Sequence, residues 1–213
     1  MSAHLMKAMK YPVRRFRSLA VALKELERFV RDGQLLRTGR PSKAFRGMLP
    51  REIWANWLLC AAINGATGRD DLEFTTDPLG SDGIICDVSN DRTWATEHVF
   101  VPPVRAGEQA SVEEQILRAI NAKNDRGEAY ARGKTLVVFA DTGGGVWFPN
   151  RVLRSLPDPL NFDAAWLISL HGVGEDGSYC YDVTGLYLDG SGAPIWRIRI
   201  EPDFLTWSVG RVQ

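Results

Sequence analysis

The run Lys134-Thr-Leu-Val-Val-Phe-Ala140 is apolar at consecutive positions, not alternate ones. A strand with one wet face alternates polar and apolar side chains, so this one belongs at the buried centre of a sheet covered on both faces. A second such run follows at 162–170, Phe162 to Leu170. Ahead of the first, Ser111-Val-Glu-Glu opens a helix with a Ser-x-x-Glu capping box, and helical spacing continues to about Arg132. Sheet and helix alternate here, which implies an α/β chain with a mixed central sheet flanked by helices.

Upstream, Leu19, Val21, Leu23, Leu26 and Val30 repeat at helical spacing with Phe29 beside them, and Asp32-Gly33 supplies a stop. Leu35 to Arg46 reads as a basic loop punctuated by Gly39 and Pro41. Pro50 is well placed to begin the next helix, which runs to Asn64 and ends at Gly65 and Gly68. Its apolar residues, among them Ile53, Trp54, Trp57 and Leu58, cover most of its circumference, as a central packing helix requires. Three short strands follow, Leu72–Thr76, Asp82–Val88 and Thr93–Val101, joined by turns of Asp, Pro, Gly, Ser and Asn in the manner of a meander. A short helix is expected around Arg151–Leu156. Two alternating strands close the chain, Tyr179–Tyr187 and Ile195–Ile200, with Asp189-Gly190 in the turn. The division is a basic helical extension over 1–48 and an α/β core over 49–213.

The neutral total charge hides an uneven layout. Residues 1–50 hold twelve Lys/Arg against three acids, a net of +9, and the remainder carries −9. Such asymmetry suggests an arm that meets a polyanion, with Arg14, Arg15, Arg17, Arg37, Arg40, Lys43 and Arg46 as phosphate contacts, since guanidinium groups bind phosphate bidentately. The alternative is that the arm packs on an acidic face of its own core. Cys60, Cys86 and Cys180 are far apart, odd in number and set in apolar stretches, which fits reduced thiols and not a zinc cluster. No run of eighteen apolar residues and no secretory leader is evident, so a cytoplasmic protein is expected.

Asp82 and Glu97 open or interrupt adjacent apolar strands. An unpaired buried charge is costly, whereas two carboxylates suit a hard divalent cation, which takes oxygen ligands. Glu52 lies in the first turn of the 50–64 helix, where the helix dipole favours a carboxylate and alone would justify it; a catalytic role is the other reading. On the 111–132 helix, Val112, Ile116, Ile120 and Lys123 form one stripe. A lysine on the stripe that faces a sheet needs a partner, unless it snorkels from the stripe's end into water.

Helix, three-strand meander, helix, strand, with an acid at the second strand and a Glu in the third, resembles the PD-(D/E)xK nuclease superfamily, the restriction-endonuclease-like fold. The resemblance covers about residues 50–170. It implies that Glu52 is the helix acid, Asp82 and Glu97 the metal ligands, and Mg²⁺ or Mn²⁺ the cofactor of a DNA endonuclease. The main-chain carbonyl of His98 would be a further ligand. One departure stands out: where the family motif has lysine, this chain has Val99 in Glu97-His98-Val99. Valine cannot stabilise an attacking water, so Lys123 is the expected replacement, a relocation the resemblance makes relevant. The alternative is an inactive nuclease-fold protein that binds nucleic acid or serves in assembly. A different small α/β protein whose N-terminal helix docks on the core with its basic face covered is a third. A homodimer would suit cleavage of both strands of a duplex.

Along a strand Glu97 and Val99 share a face, and the His98 imidazole points to the other, where packing or hydrogen bonding is expected. Asp87 and Asp91 read as turn acids, Asp77-Pro78 as a turn, and Gly143–Gly145 as a flexible turn without the spacing of a phosphate-binding loop. His171 lacks an evident nucleophile partner, and no Gly-x-Ser-x-Gly elbow exists.

Overall fold

The computed structural model describes residues 17–41, 48–75, 82–104, 110–142, 146–186 and 192–213. Eight strands form one mixed sheet in chain order: β1 (Leu72–Thr75), β2 (Gly83–Asp87), β3 (Arg92–Val101), β4 (Lys134–Ala140), β5 (Ala164–Val173), β6 (Tyr179–Gly185), β7 (Ile195–Ile200) and β8 (Trp207–Arg211). The pairs β3–β4 and β4–β5 are parallel, and every other pair is antiparallel. The helices are α1 (Leu19–Arg31), α2 (Gly33–Arg37), α3 (Pro50–Thr67), α4 (Val112–Asn124), α5 (Glu128–Ala131) and α6 (Pro149–Arg154).

The consecutive apolar residues of β4 are explained by the two layers they feed. Val137 and Phe139 point into one core with α1 and α3, while Leu136, Val138 and Ala140 point into another with α4, α5 and α6. The sheet curls around α3, which touches β1, β2 and every strand from β4 to β8. That is why α3 is apolar on all sides. Trp54 and Trp57 stack with centroids 5.0 Å apart, and Tyr181 and Trp207 meet them edge-on at 5.4 and 5.2 Å.

α1 lies across the opening of the curl. The Arg17 N–H donates to the Phe74 carbonyl of β1 at 2.9 Å. At the other edge, Lys24 and Arg31 donate to the Asp203 and Pro202 carbonyls in the β7–β8 turn. Leu19, Leu23, Leu26, Phe29 and Val30 are buried, but Val21 is 63% exposed and lies off the buried face.

The structure departs from the sequence reading in five places. The expected loop after Asp32 begins with the short helix α2, because the Asp32 carboxylate accepts from the Gln34 N–H and caps a new turn. The expected helix over 111–132 is two helices, broken at Gly127, whose φ is +84°. Gly65 does not stop α3; the helix runs on to Thr67 and ends at Gly68 in the left-handed conformation, φ +65°. Gly65 is instead a packing glycine, since a Cβ there would lie 2.5 Å from Val209 of β8. β8 itself extends the expected terminal hairpin by one strand. The sequence places β5 at 162–170, and the strand runs to Val173. Cys60 and Cys86 are buried, Cys180 is half-buried, and all three are free thiols. Among the described residues, no helix is long and apolar enough to cross a membrane.

Candidate active site

β2 begins at Gly83, opposite Thr96 on β3. Just before it, the Asp82 N–H donates to the Thr96 carbonyl at 3.1 Å, and the Asp82 carboxylate accepts from the His98 N–H at 2.7 Å. Asp82 is therefore pinned at backbone and side chain to the stretch of β3 that carries Glu97. The N–H and C=O of one strand residue point to the same side, so the His98 carbonyl faces the same edge of β3 as Asp82.

Glu97 is met from the next layer. Lys123 of α4 donates to its Oε1, and Lys134, the first residue of β4, places Nζ 3.9 Å from Oε2. The Tyr130 hydroxyl also hydrogen-bonds Glu97; burial and that neighbour push the phenol up to about 12. Lys134 lies over the Tyr130 ring, 4.3 Å from its centroid. The Lys123 and Glu97 side chains are only 16% and 9% exposed, so water screens their attraction poorly. The expected stripe on α4 thus delivers Lys123 to the sheet and not to solvent.

Glu52 sits in the first turn of α3, where the helix dipole favours a carboxylate. Its carboxylate accepts from the Leu49 N–H at 2.9 Å, the half of a capping box that remains when the cap residue has no side-chain acceptor. It also faces the other acids. Burial, reinforced by the charges of Asp82 and Glu97, raises its pKa to about 7, against the pull of the Leu49 N–H and Arg51. Asp82 is raised too, by burial first and then Glu97, while the His98 amide, Lys123 and Arg51 hold it down. Arg51 closes the group: its guanidinium lies 5.1 Å from the Phe100 ring and donates to the Thr38 carbonyl. Glu52, Asp82, Glu97 and Lys123 thus share one electrostatic neighbourhood.

No protein-family model matches the chain, and no curated protein matches it. The chemistry of the site has to be read from its own donors.

Among the described residues, no three His, Cys, Asp or Glu side chains stand close enough to enclose a metal by themselves. Mg²⁺ needs less, since it is held by one or two carboxylates and keeps several waters. Asp82, Glu97 and the His98 carbonyl offer an all-oxygen set of that kind, in a group where burial, with neighbouring acids adding to it, raises the pKa of Glu52 and Asp82. These residues could hold a hydrated Mg²⁺ or Mn²⁺.

The His98 imidazole takes no part in that set. It points to α3, with Nε2 3.1 Å from Asn56 Oδ1 and 3.3 Å from Thr96 Oγ1. Burial drives its pKa down to about 3, so it is neutral. Val99 packs into the α4 layer, beside the site and not above solvent. Asp87 is a turn acid, bonded by Asn90 and Arg69. His171 sits in a separate cluster with Asp182 and Arg197.

The basic residues assigned to nucleic acid are scattered in their contacts. Arg17 pairs with Glu25, Arg37 pairs with Asp141 at 2.6 Å, and Arg40 is exposed. Arg14, Arg15, Lys43 and Arg46 lie outside the described residues, as do Asp77-Pro78, Gly143–Gly145 and Asp189-Gly190. Sequence reasoning missed Tyr130, Lys134 and Asn56. Asn56 had a usable signal, because an amide in a helix that is apolar all round must find a buried partner.

Proposed function

We propose that this chain is a metal-dependent DNA endonuclease with a restriction-endonuclease-like core. The observation that carries the reading is the convergence of Glu52, Asp82, Glu97 and Lys123 where β2 meets β3. The order α3, β1–β3 meander, α4, β4 supports it, because it is the order on which the resemblance rests.

Asp82, Glu97 and the His98 carbonyl would hold Mg²⁺ or Mn²⁺, which supplies a water of lowered pKa and neutralises charge on the phosphodiester. Lys123 holds the Glu97 carboxylate by a hydrogen bond, and its remaining N–H groups can donate to a phosphate oxygen. Tyr130 and Lys134 fix Glu97 from its other side. Glu52, raised to about 7, is tuned to accept a proton from a water near neutral pH.

The test is cleavage of labelled plasmid and single-stranded DNA with Mg²⁺ or Mn²⁺. Metal-dependent nicking lost in both Glu97→Ala and Lys123→Ala is the expected result. Loss in Glu97→Ala alone would assign the cationic role elsewhere, with Lys134 the next residue to replace. A second reading, an inactive nuclease-fold protein that binds nucleic acid or serves in assembly, is favoured by Val99, which packs where the family motif has lysine. No cleavage with salt-sensitive DNA binding intact would select it.

A further inference from the structure

β3 runs on past the start of β2, and α4 lies antiparallel to it, with Lys123 opposite Glu97. Between them a groove of about 460 Å³ follows the seam from α4 to the end of β3, lined by Phe100, Pro102, Pro103, Arg118, Ala119 and Ala122. Ala119 lies one helical turn before Lys123, so the groove lies alongside the Glu97–Lys123 pair on the same helix and strand, although neither residue of that pair lines it. Its volume is in the range of ligand sites, not of packing defects. Phe100 of this lining also meets Arg51, one of the cations near Glu52 and Asp82, at 5.1 Å from its ring centroid.

The lining has a specific character. Ala119 and Ala122 leave the helix surface low, Pro102 and Pro103 offer flat apolar walls without N–H donors, and Arg118 is exposed. Among the described residues Arg118 has no carboxylate partner, a property it shares with Arg92 and other surface arginines, but it is the arginine that lines this groove. An unpaired guanidinium over a shallow apolar channel suits a phosphodiester chain, with a phosphate on the arginine and sugar edges on the prolines and alanines.

The geometry points to this groove as the track of the nucleic-acid strand that flanks the bond to be cut, with Arg118 as the phosphate contact next to it. The inference rests on the nuclease reading and adds the path of the substrate. It makes Arg118 a binding residue outside the basic N-terminal segment.

The experiment measures binding of a labelled single-stranded and a labelled duplex oligonucleotide to the full chain over a series of salt concentrations, in EDTA. Cleavage with Mg²⁺ is followed in parallel. The variants are Arg118→Ala, Ala122→Glu, which places a carboxylate in the groove at an exposed position, and Arg92→Ala. Arg92 is an exposed arginine at the far end of β3, roughly 25 Å from Phe100, and controls for loss of one charge. Arg118→Ala should weaken binding about tenfold and reduce the salt slope by about one. Ala122→Glu should weaken it at least as much, and Arg92→Ala should stay within about twofold of wild type. Equal binding by Arg118→Ala and Arg92→Ala overturns the inference, and so does wild type that shows no salt-dependent binding. Arg118-dependent binding without cleavage by wild type keeps the groove and discards the hydrolytic reading.

Discussion

Two clusters of charge sit on the same sheet and solve the same electrostatic problem differently. Between β6 and β7, Asp182 accepts two bonds from Arg197, at 2.8 and 3.0 Å, with His171 Nδ1 3.2 Å away. One carboxylate meets one guanidinium of matching shape, which raises the arginine's pKa and completes the pair. At the β2–β3 junction the charges of Asp82 and Glu97 reach Glu52 under partial burial, and Glu52 is driven to about 7 even with Arg51 nearby. The first cluster is electrically finished, and its chemistry ends with holding two strands together. The second has Lys123, Lys134 and Arg51 around its acids and still leaves Glu52 and Asp82 raised, chiefly by burial, and such perturbed groups mark a candidate functional site.

That contrast can be broken most forcefully by cleavage. Lys123→Ala should lower the rate by about 10²-fold or more, the scale of losing a donor to developing charge, while Arg197→Ala should stay within about twofold. Equal losses would erase the distinction. Metal binding comes next. Saturating Mg²⁺ should raise the melting temperature of the wild type by on the order of 5 °C, keep that shift in Asp182→Asn and lose it in Glu97→Gln. In urea, Lys123→Met should cost about 2 kcal/mol because it strands Glu97 beside the more distant Lys134. Arg197→Met, at a pair half open to water, should cost under about 1 kcal/mol.

The smallest effect is in the pH dependence of stability. Glu52 is raised in the folded state, so it binds a proton there that it lacks when unfolded, and its contribution falls as pH rises from about 4.5 to about 7. Glu52→Gln should therefore raise the melting temperature at pH 8 and leave it nearly unchanged at pH 4. His98 works in the opposite sense. Its folded pKa of about 3 means that stability is lost as pH falls below about 6.5, where the unfolded imidazole takes up a proton. Between pH 6.5 and 4.5 the two slopes oppose each other, so a profile nearly flat there in wild type but falling on acidification in Glu52→Gln would separate the two.

The pairing of Glu97 with Lys123 was legible because periodicity fixes faces: a 3.6-residue stripe on α4 and alternation on β3 leave each side chain one direction to point. The buried run of β4 was legible for the same reason. Tyr130 and Lys134 were not, because their approach to Glu97 depends on the break at Gly127, and a glycine's φ cannot be read from its neighbours. Gly65 marks a similar limit. A glycine that ends a helix and one that makes room for a strand far along the chain look alike until the strand is in place. The curl of the sheet rests on such distant contacts, so local patterns could indicate the apolar faces of the elements without telling how they wrap.

The placement of α1 and β8 has a kinetic consequence. Trp54 and Trp57 of α3 are covered from one side by residues 19–31 and from the other by residues 207–211, segments separated by most of the chain. Contacts of such long range must be closed against a large loss of chain entropy, which slows folding. During synthesis the side of Trp57 that Trp207 covers stays open until that residue has emerged. A nascent chain stalled before that residue would present a tryptophan-rich surface to any chaperone that binds apolar segments.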